Sequence, residues 1–281
     1  MERIAIQGIA GCYHETAAHR YFADRTIETL PCLSFNELFG RMAADPQLLG
    51  IAAIENTIAG SLLPNYELLQ QSHARIVGEE KLRISHVIAA LPGQRLGDIH
   101  EVRSHPIALM QCGEFLKTQP QMKVVERDDT AGSAREVAEG ELRGTAAICG
   151  AEAAELYGLE ILQRGIETNK HNFTRFLLLT DESRAEEFAD TPHVNKASLV
   201  FTLPHAQGSL SKVLTVLSFY EINLTKIQSL PIIGREWEYR FYVDVTFDDR
   251  HRYRQAIDAA RPLTSGFRIL GEYAECPNPA L

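Results

Sequence analysis

The chain has 281 residues, 45% of them hydrophobic, enough for two cores or one large one. Its formal net charge of −9 excludes a broad nucleic-acid footprint, so an anionic ligand has to be held locally, by helix N-termini or a few basic side chains. No apolar run approaches the ~18 residues of a membrane span. The N-terminus enters a strand with no signal-peptide core. Cys12, Cys32, Cys112, Cys149 and Cys276 form no C-x-x-C, which predicts buried, reduced thiols and a cytoplasmic protein. In that compartment the N-x-T patterns at Asn172 and Asn223 are not glycosylation sites.

From the start, short apolar runs alternate with amphipathic stretches. The predicted strands are "RIAIQG", "GIAAIEN", "EVRSHP", "KVVERDD", "GTAAICG" and "FTRFLLLTD", with helices at 13–23, 61–72, 106–118, 131–140 and 151–157. Such alternation predicts α/β architecture with a mostly parallel, doubly wound sheet. The strand-like "RISHVIAALPG" (83–93) breaks the rhythm and marks a crossover between two lobes around residues 78–93. Residues 182–196 are charged and nearly free of large apolar groups, hence a linker or an exposed helix. Beyond them "ASLVFTL", "GSLSKVLTVLSFYEI", "LTKIQSLPII", "EWEYRFYVDVTF", "RHRYRQAIDAARPL" and "RILGEYA" read as βαββαβ, a ferredoxin-like α+β unit. The expected division is a two-lobed domain over 1–181, a linker over 182–196 and a small domain over 197–276.

Ligands of doubly wound sheets sit beyond the carboxyl ends of the strands. Polar residues recur at those ends: Glu55-Asn56-Thr57, Ser104-His105 and Asp128-Asp129-Thr130. Any one of them alone is a cap or turn former. Three together, in an acidic chain with no phosphate loop, point to a small anionic ligand. "HETAAH" (14–19) sets two histidines five apart, about 140° of turn, which predicts a solvated helix with His14 and His19 on the surface and no metal site. "QGIAGC" lacks the third glycine of a dinucleotide fingerprint, and no G-x-S-x-G elbow exists. In "HNFTRFLLL" Thr174 stands at the mouth of a strand buried on both faces.

"AIENTIAG", "SHPIALMQC", "DDTAGSA", "GAEAAELYGLEIL" and "NFTRF" occur in the order found in prephenate dehydratases, and the chain resembles that family over nearly its whole length. "GSLSKVLTVL", "INLTKIQSLPI" and "EWEYRFYVDV" resemble the family's C-terminal ACT regulatory domain. The resemblance implies two lobes like a type II periplasmic binding protein, with the site in their cleft. It implies loss of carbon dioxide and the ring hydroxyl from prephenate, giving phenylpyruvate, without cofactor or metal. By resemblance Thr174 is the general acid, while Asn56, Ser104 and Gln111 bind the hydroxyl and carboxylates. Glu55 falls at an active-site position, although its carboxylate repels a dianion unless protonated or turned away. Thr57, Thr130, Arg175, Gly8 and Gly11 match substrate-binding positions, with a structural ion pair as the alternative for Arg175. His105 and Pro106 are expected to shape a turn and start a helix, and Cys112 to lie in the core.

The resemblance further implies L-phenylalanine bound between subunits near Gly208, Ser209, Leu210, Asn223 and Leu224, in a homodimer or tetramer joined through 197–276. Two departures stand out. The family's G-P-x-G-[ST] turn reads "GIAGC", with Cys12 in place of the hydroxyl residue. Its E-S-R-P reads "QSLP", Gln228 to Pro231. The two changed positions share one face of a strand, and weakened coupling to the cleft is expected. Arogenate as substrate and a non-enzymatic sensor of a small anion or amino acid are the alternatives.

Overall fold

The computed structural model describes residues 1–188 and 193–278. The first lobe comprises β1 (Glu2–Gln7), α1 (Tyr13–Tyr21), β2 (Ile27–Cys32), α2 (Phe35–Ala44), β3 (Leu49–Asn56), β4 (Gly60–Ser61), α3 (Leu63–Gln71) and β5 (Ala74–Arg83). The second comprises β6 (Val87–Ala90), β7 (Glu101–Ser104), α4 (Pro106–Gln111), α5 (Gly113–Lys117), β8 (Lys123–Glu126), α6 (Thr130–Glu139), β9 (Thr145–Cys149), α7 (Ala151–Leu156) and β10 (Glu160–Arg164). The chain returns to the first lobe as β11 (Phe173–Asp181). A third unit follows: β12 (Lys196–Thr202), α8 (Ser209–Phe219), β13 (Asn223–Pro231), β14 (Tyr239–Thr246), α9 (Arg250–Ala260) and β15 (Ser265–Tyr273).

The expected mostly parallel sheet is only part of what forms. β2-β1-β3 and β8-β7-β9 are parallel, but β11 runs antiparallel to both β3 and β5, and β6 antiparallel to β9 and β10. The physical reason lies in the crossovers. The chain crosses once at 84–86 and again at 165–172. A strand entered from the cleft has to run away from it, so β6 and β11 oppose their neighbours. Sequence patterning also passed over β2, α2, β5 and β10. α2 is set by Ser34, whose side chain accepts the Glu37 N–H, while Glu37 reaches back to the Leu33 N–H, a reciprocal cap.

The third unit has the predicted βαββαβ order and an antiparallel sheet, β13-β14-β12-β15. One face packs Leu199, Phe201, Val243 and Val245 against Val213, Leu217, Tyr253 and Ile257 of its two helices. The other presents Val200, Tyr242, Leu270 and Tyr273 to Tyr66, Leu69 and Ile76 of the first lobe. β15 also pairs with β5 at Gly271 and Ile76, so the sheets run together. A Cβ on Gly271 would collide with the Ile76 carbonyl, which explains the glycine. Of the linker expected over 182–196, residues 189–192 lie outside the described residues. Glu182–Glu187 form a 3-10 turn, and Lys196 already belongs to β12.

Candidate active site

A cavity of about 340 Å³ lies between the lobes. Gln7, Cys12, His14, Ala53, Asn56, Thr174 and Phe176 line it from the first lobe, and His86, His105, Gln111, Asp128, Asp129 and Thr130 from the crossover and second lobe.

The register between β3 and β11 builds its centre. Thr174 stands opposite Asn56 and Arg175 opposite Glu55, but Phe176 pairs with Ala53, so Ile54 is an extra residue on β3. Such a bulge re-aims side chains. It lets Ala53 and Asn56, three positions apart, both face the cleft across from Phe176 and Thr174. The Asn56 amide donates to Thr174 Oγ1 at 3.0 Å and to Asn172 Oδ1 at 2.8 Å, and its own Oδ1 accepts the N–H groups of Ile58 and Ala59. Asn56 is therefore both the turn former and the ligand-facing residue. Since Thr174 accepts from Asn56, its own proton is left for a ligand.

From there a hydrogen-bonded chain crosses to the second lobe. Asn172 Nδ2 donates to Gln111 Oε1 at 3.0 Å, which also takes the His86 Nε2 proton at 2.9 Å, while His86 Nδ1 lies 3.0 Å from the Tyr13 hydroxyl. Burial lowers the pKa of His86, against the opposing hydrogen bond from Gln111. The ring is thus neutral, with the network assigning the proton to Nε2. Gln111 Nε2 remains for a ligand. Thr130 lines the cavity at the start of α6, where Asp129 Oδ1 accepts the Gly132 N–H at 2.6 Å. His105 caps α4 by accepting the Ile107 N–H, Pro106 follows as its first residue, and Cys112 is fully buried, all as expected.

Other expected site residues are placed elsewhere. Ser104 is fully buried and donates to the Ile148 carbonyl of the neighbouring strand at 2.6 Å, outside the cavity lining. Glu55 points away from the cleft to Lys226 Nζ at 3.0 Å, because it alternates with Asn56 along the strand. Arg175 likewise faces away from Thr174. It binds Glu79 Oε2 at 2.6 Å, Asp244 and the Tyr273 hydroxyl, so it is a structural ion pair and not a cleft ligand. The Thr57 hydroxyl donates to the His171 carbonyl and accepts the Phe173 N–H, pinning the turn after β3. Gly8 and Gly11 shape the turn before α1. Gly11 has φ +84, and a Cβ there would lie 2.9 Å from Ala153 Cα. Cys12, at the end of that turn, does line the cavity.

Of the two histidines read as surface residues, only His19 is exposed. His14 is buried, accepts the Ala53 N–H at 3.2 Å and packs edge-on against Phe35 and Phe176. The core face of α1 runs His14, Ala17, Ala18, and the pattern of spacing three and four was the available signal. Burial lowers its pKa from 6.5 to about 3. The folded state then binds fewer protons than the unfolded one, so stability falls as pH drops below about 6.5, at about 1.4 kcal/mol per pH unit per such group. His14→Gln, which keeps an acceptor for Ala53, is expected to reduce that slope by one proton's worth in urea denaturation between pH 7 and 5. An unchanged slope would remove His14 from the acid response.

In the third unit Ser209 and Leu210, beside Gly208 at φ +75, line a cavity of about 160 Å³ with His205, Trp237 and Tyr239. Asn223 and Leu224 lie outside it, on edge strand β13. Beyond a bulge at Thr225, Lys226, Gln228 and Leu230 share the face toward the first lobe, while Leu224 packs on the helix side. Gln228 and Leu230 thus lie side by side as predicted.

The family model described as prephenate dehydratase matches residues 4–184. Arogenate dehydratase 1 of Petunia hybrida is 38% identical over 290 residues, covering 96% of this chain and 66% of the relative, so the chain spans about two-thirds of that relative's length. A solved structure described as GqqA, a novel type of quorum quenching acylase, superposes with TM-score 0.86 at 30% identity, covering 98% of this chain and 99% of the other. Prephenate dehydratase from Arthrobacter aurescens, solved in complex with L-Phe, superposes with TM-score 0.86 at 27% identity over 99% of this chain and 92% of its own.

Proposed function

Because this chain belongs to the prephenate dehydratase family, we propose that it converts prephenate to phenylpyruvate in the cleft between its lobes. The observation that carries the reading is the Thr174 hydroxyl, oriented by the Asn56 amide at 3.0 Å with its proton unclaimed. As the ring carboxylate leaves as carbon dioxide, its electron pair enters the ring and the ring hydroxyl departs. Thr174 protonates that oxygen, water is released, and Thr174 recovers a proton from solvent. Threonine is a weak acid, and the Asn56 N–H stabilises the charge developing on Oγ1 as the proton moves. Gln111, fixed by His86 and Asn172, offers its amide to a substrate oxygen.

One observation favours arogenate as a second substrate. Among the described residues no lysine or arginine lines the cavity, whereas Asp128 and Asp129 do. Two carboxylates suit the ammonium group that arogenate carries in place of the keto group, and they repel a second anionic end. Side-by-side assays decide. A higher kcat/KM for arogenate would assign it as substrate, and the reverse would restore prephenate. Burial pushes the Cys12 thiol up to about 12, which disfavours a thiolate nucleophile at that position.

We infer that the third unit is an ACT-type regulatory domain that takes L-phenylalanine and assembles the chain into dimers or tetramers. Support comes from the cavity at Gly208–Leu210 and from exposed Phe219, Ile227, Ile233 and Trp237 on this unit. Lys226 bonds Ser61 Oγ at 2.8 Å beside the cleft, and Arg175 bonds Asp244. Both links adjoin a cleft residue, so a shift of β13 and β14 reaches Asn56 and Thr174. Leu230 packs against the apolar interface where the family has a charge, consistent with weakened coupling. Titration calorimetry should show phenylalanine binding, with inhibition requiring more effector than binding alone suggests. Absence of both heat and inhibition at millimolar phenylalanine would remove the regulatory reading.

A further inference from the structure

The crossover from β5 to β6 has two faces. Ile84 and His86 line the catalytic cavity, whereas Arg83, Ser85 and Val87 line a separate cavity of about 270 Å³ behind it. This is the alternation of an extended strand, and one thickness of chain divides the two spaces. Tyr13 borders both.

Three arginines converge on the rear cavity: Arg20 from α1, Arg83 at the end of β5, and Arg164 at the end of β10. The first two belong to the first lobe and the third to the second. In a chain of net charge −9 such a concentration is unusual. Arg83 makes no ion pair among the described residues, and its Nε is buried with no acceptor. A buried guanidinium donor left unpaired is costly, and an anion in the cavity supplies the missing acceptor. Among the described residues Arg164 pairs only with Glu155, 3.6 Å away with both side chains largely exposed. Among the described residues Glu152 is the carboxylate in the lining. Three arginines against Glu152 leave the lining itself net positive, with Glu155 beside Arg164 and Glu80 near Arg20 outside it.

We propose that this rear pocket binds a small multivalent anion, of phosphate or polycarboxylate chemistry, which ties the two lobes together at the hinge. Guanidinium groups recognise both chemistries through paired N–H donors. An occupant held by Arg83 and Arg164 at once bridges the lobes. It also presses on the strand that carries His86, whose bond to Gln111 forms part of the cleft.

The test is titration calorimetry of the full chain without substrate, using inorganic phosphate and citrate separately, with chloride holding ionic strength constant. Saturable binding of at least one anion is expected, weakened about tenfold or more by Arg83→Gln and by Arg164→Gln, while both variants keep the anion-free melting temperature. Arg83→Lys should retain part of the affinity. Preference for phosphate or citrate identifies the class of occupant. Absence of saturable binding by both anions would overturn the proposal. So would affinity unchanged in both glutamine variants, which would locate the anion elsewhere. Because no turnover is measured, the result is independent of whether the cleft is a dehydratase.

Discussion

Replacing Thr174 with valine is expected to lower kcat by roughly 10²-fold or more with little change in KM, the signature of an interaction made mainly in the transition state. Stability should change little, and the structure explains why the two effects separate. The Asn56 amide that loses Thr174 Oγ1 keeps the Asn172 side chain at 2.8 Å and the Phe173 carbonyl at 3.2 Å, so no buried donor is orphaned. Serine at position 174 restores the hydroxyl and should retain measurable turnover. Steady-state kinetics beside thermal melts make the comparison. Near-normal kcat in the valine variant would take the general-acid role away from Thr174.

The largest stability effect is expected at Glu79. Its fully buried carboxylate holds Lys196 Nζ at 2.9 Å, Arg175 Nε at 2.6 Å and the Cys276 N–H at 3.0 Å. Arg175 extends the network to Asp244, where burial opposes the charge but Arg175 and the Ser198 hydroxyl hold the pKa below its ordinary value. Glu79→Leu takes the nearest carboxylate from two buried cations, leaving Arg175 with Asp244 and Lys196 with Glu275 at 3.7 Å. Breaking a buried pair from one side costs about 3–5 kcal/mol, a large share of the stability of an ordinary domain. Urea denaturation should show that loss. The double variant Glu79→Leu with Lys196→Met removes one of the stranded charges and should recover part of it. A loss under about 1 kcal/mol in the single variant would mean that water or rearrangement replaces the carboxylate, and the network would not bind the third unit to the first lobe.

Both expectations depend on a distinction that the sequence conveyed unevenly. "NFTRF" placed Thr174 at a strand mouth, the strand-end polar groups led to Asn56 and Thr130, and the family resemblance led to Gln111, all of which line the cavity. The same reasoning put Ser104, Glu55, Thr57 and Arg175 in the site, and the structure does not. Being near a strand end says nothing about which face a side chain takes, and the bulge at Ile54 that decides it depends on a partner strand more than a hundred residues away. Glu55 and Arg175 point toward the third unit for this reason. His86 went unassigned because one histidine in "RISHVIAA" carries no spacing signal. Its role comes from Gln111 and Tyr13, which reach it from other elements. Asn172 stood in the quoted stretch but received no role, since its partners Asn56 and Gln111 meet only when the lobes face each other. In the third unit local patterning sufficed, because each strand and helix buries its own apolar face against its sequence neighbours.

The reading of the cleft as a dehydratase site stands or falls most directly on single-turnover conversion of prephenate by the wild-type chain, with phenylpyruvate and carbon dioxide both quantified. The expected result is one carbon dioxide released per phenylpyruvate formed, at a rate that Thr174→Val abolishes or lowers by roughly 10²-fold. Binding of prephenate and arogenate without turnover of either would contradict it and leave the cleft a ligand-sensing site.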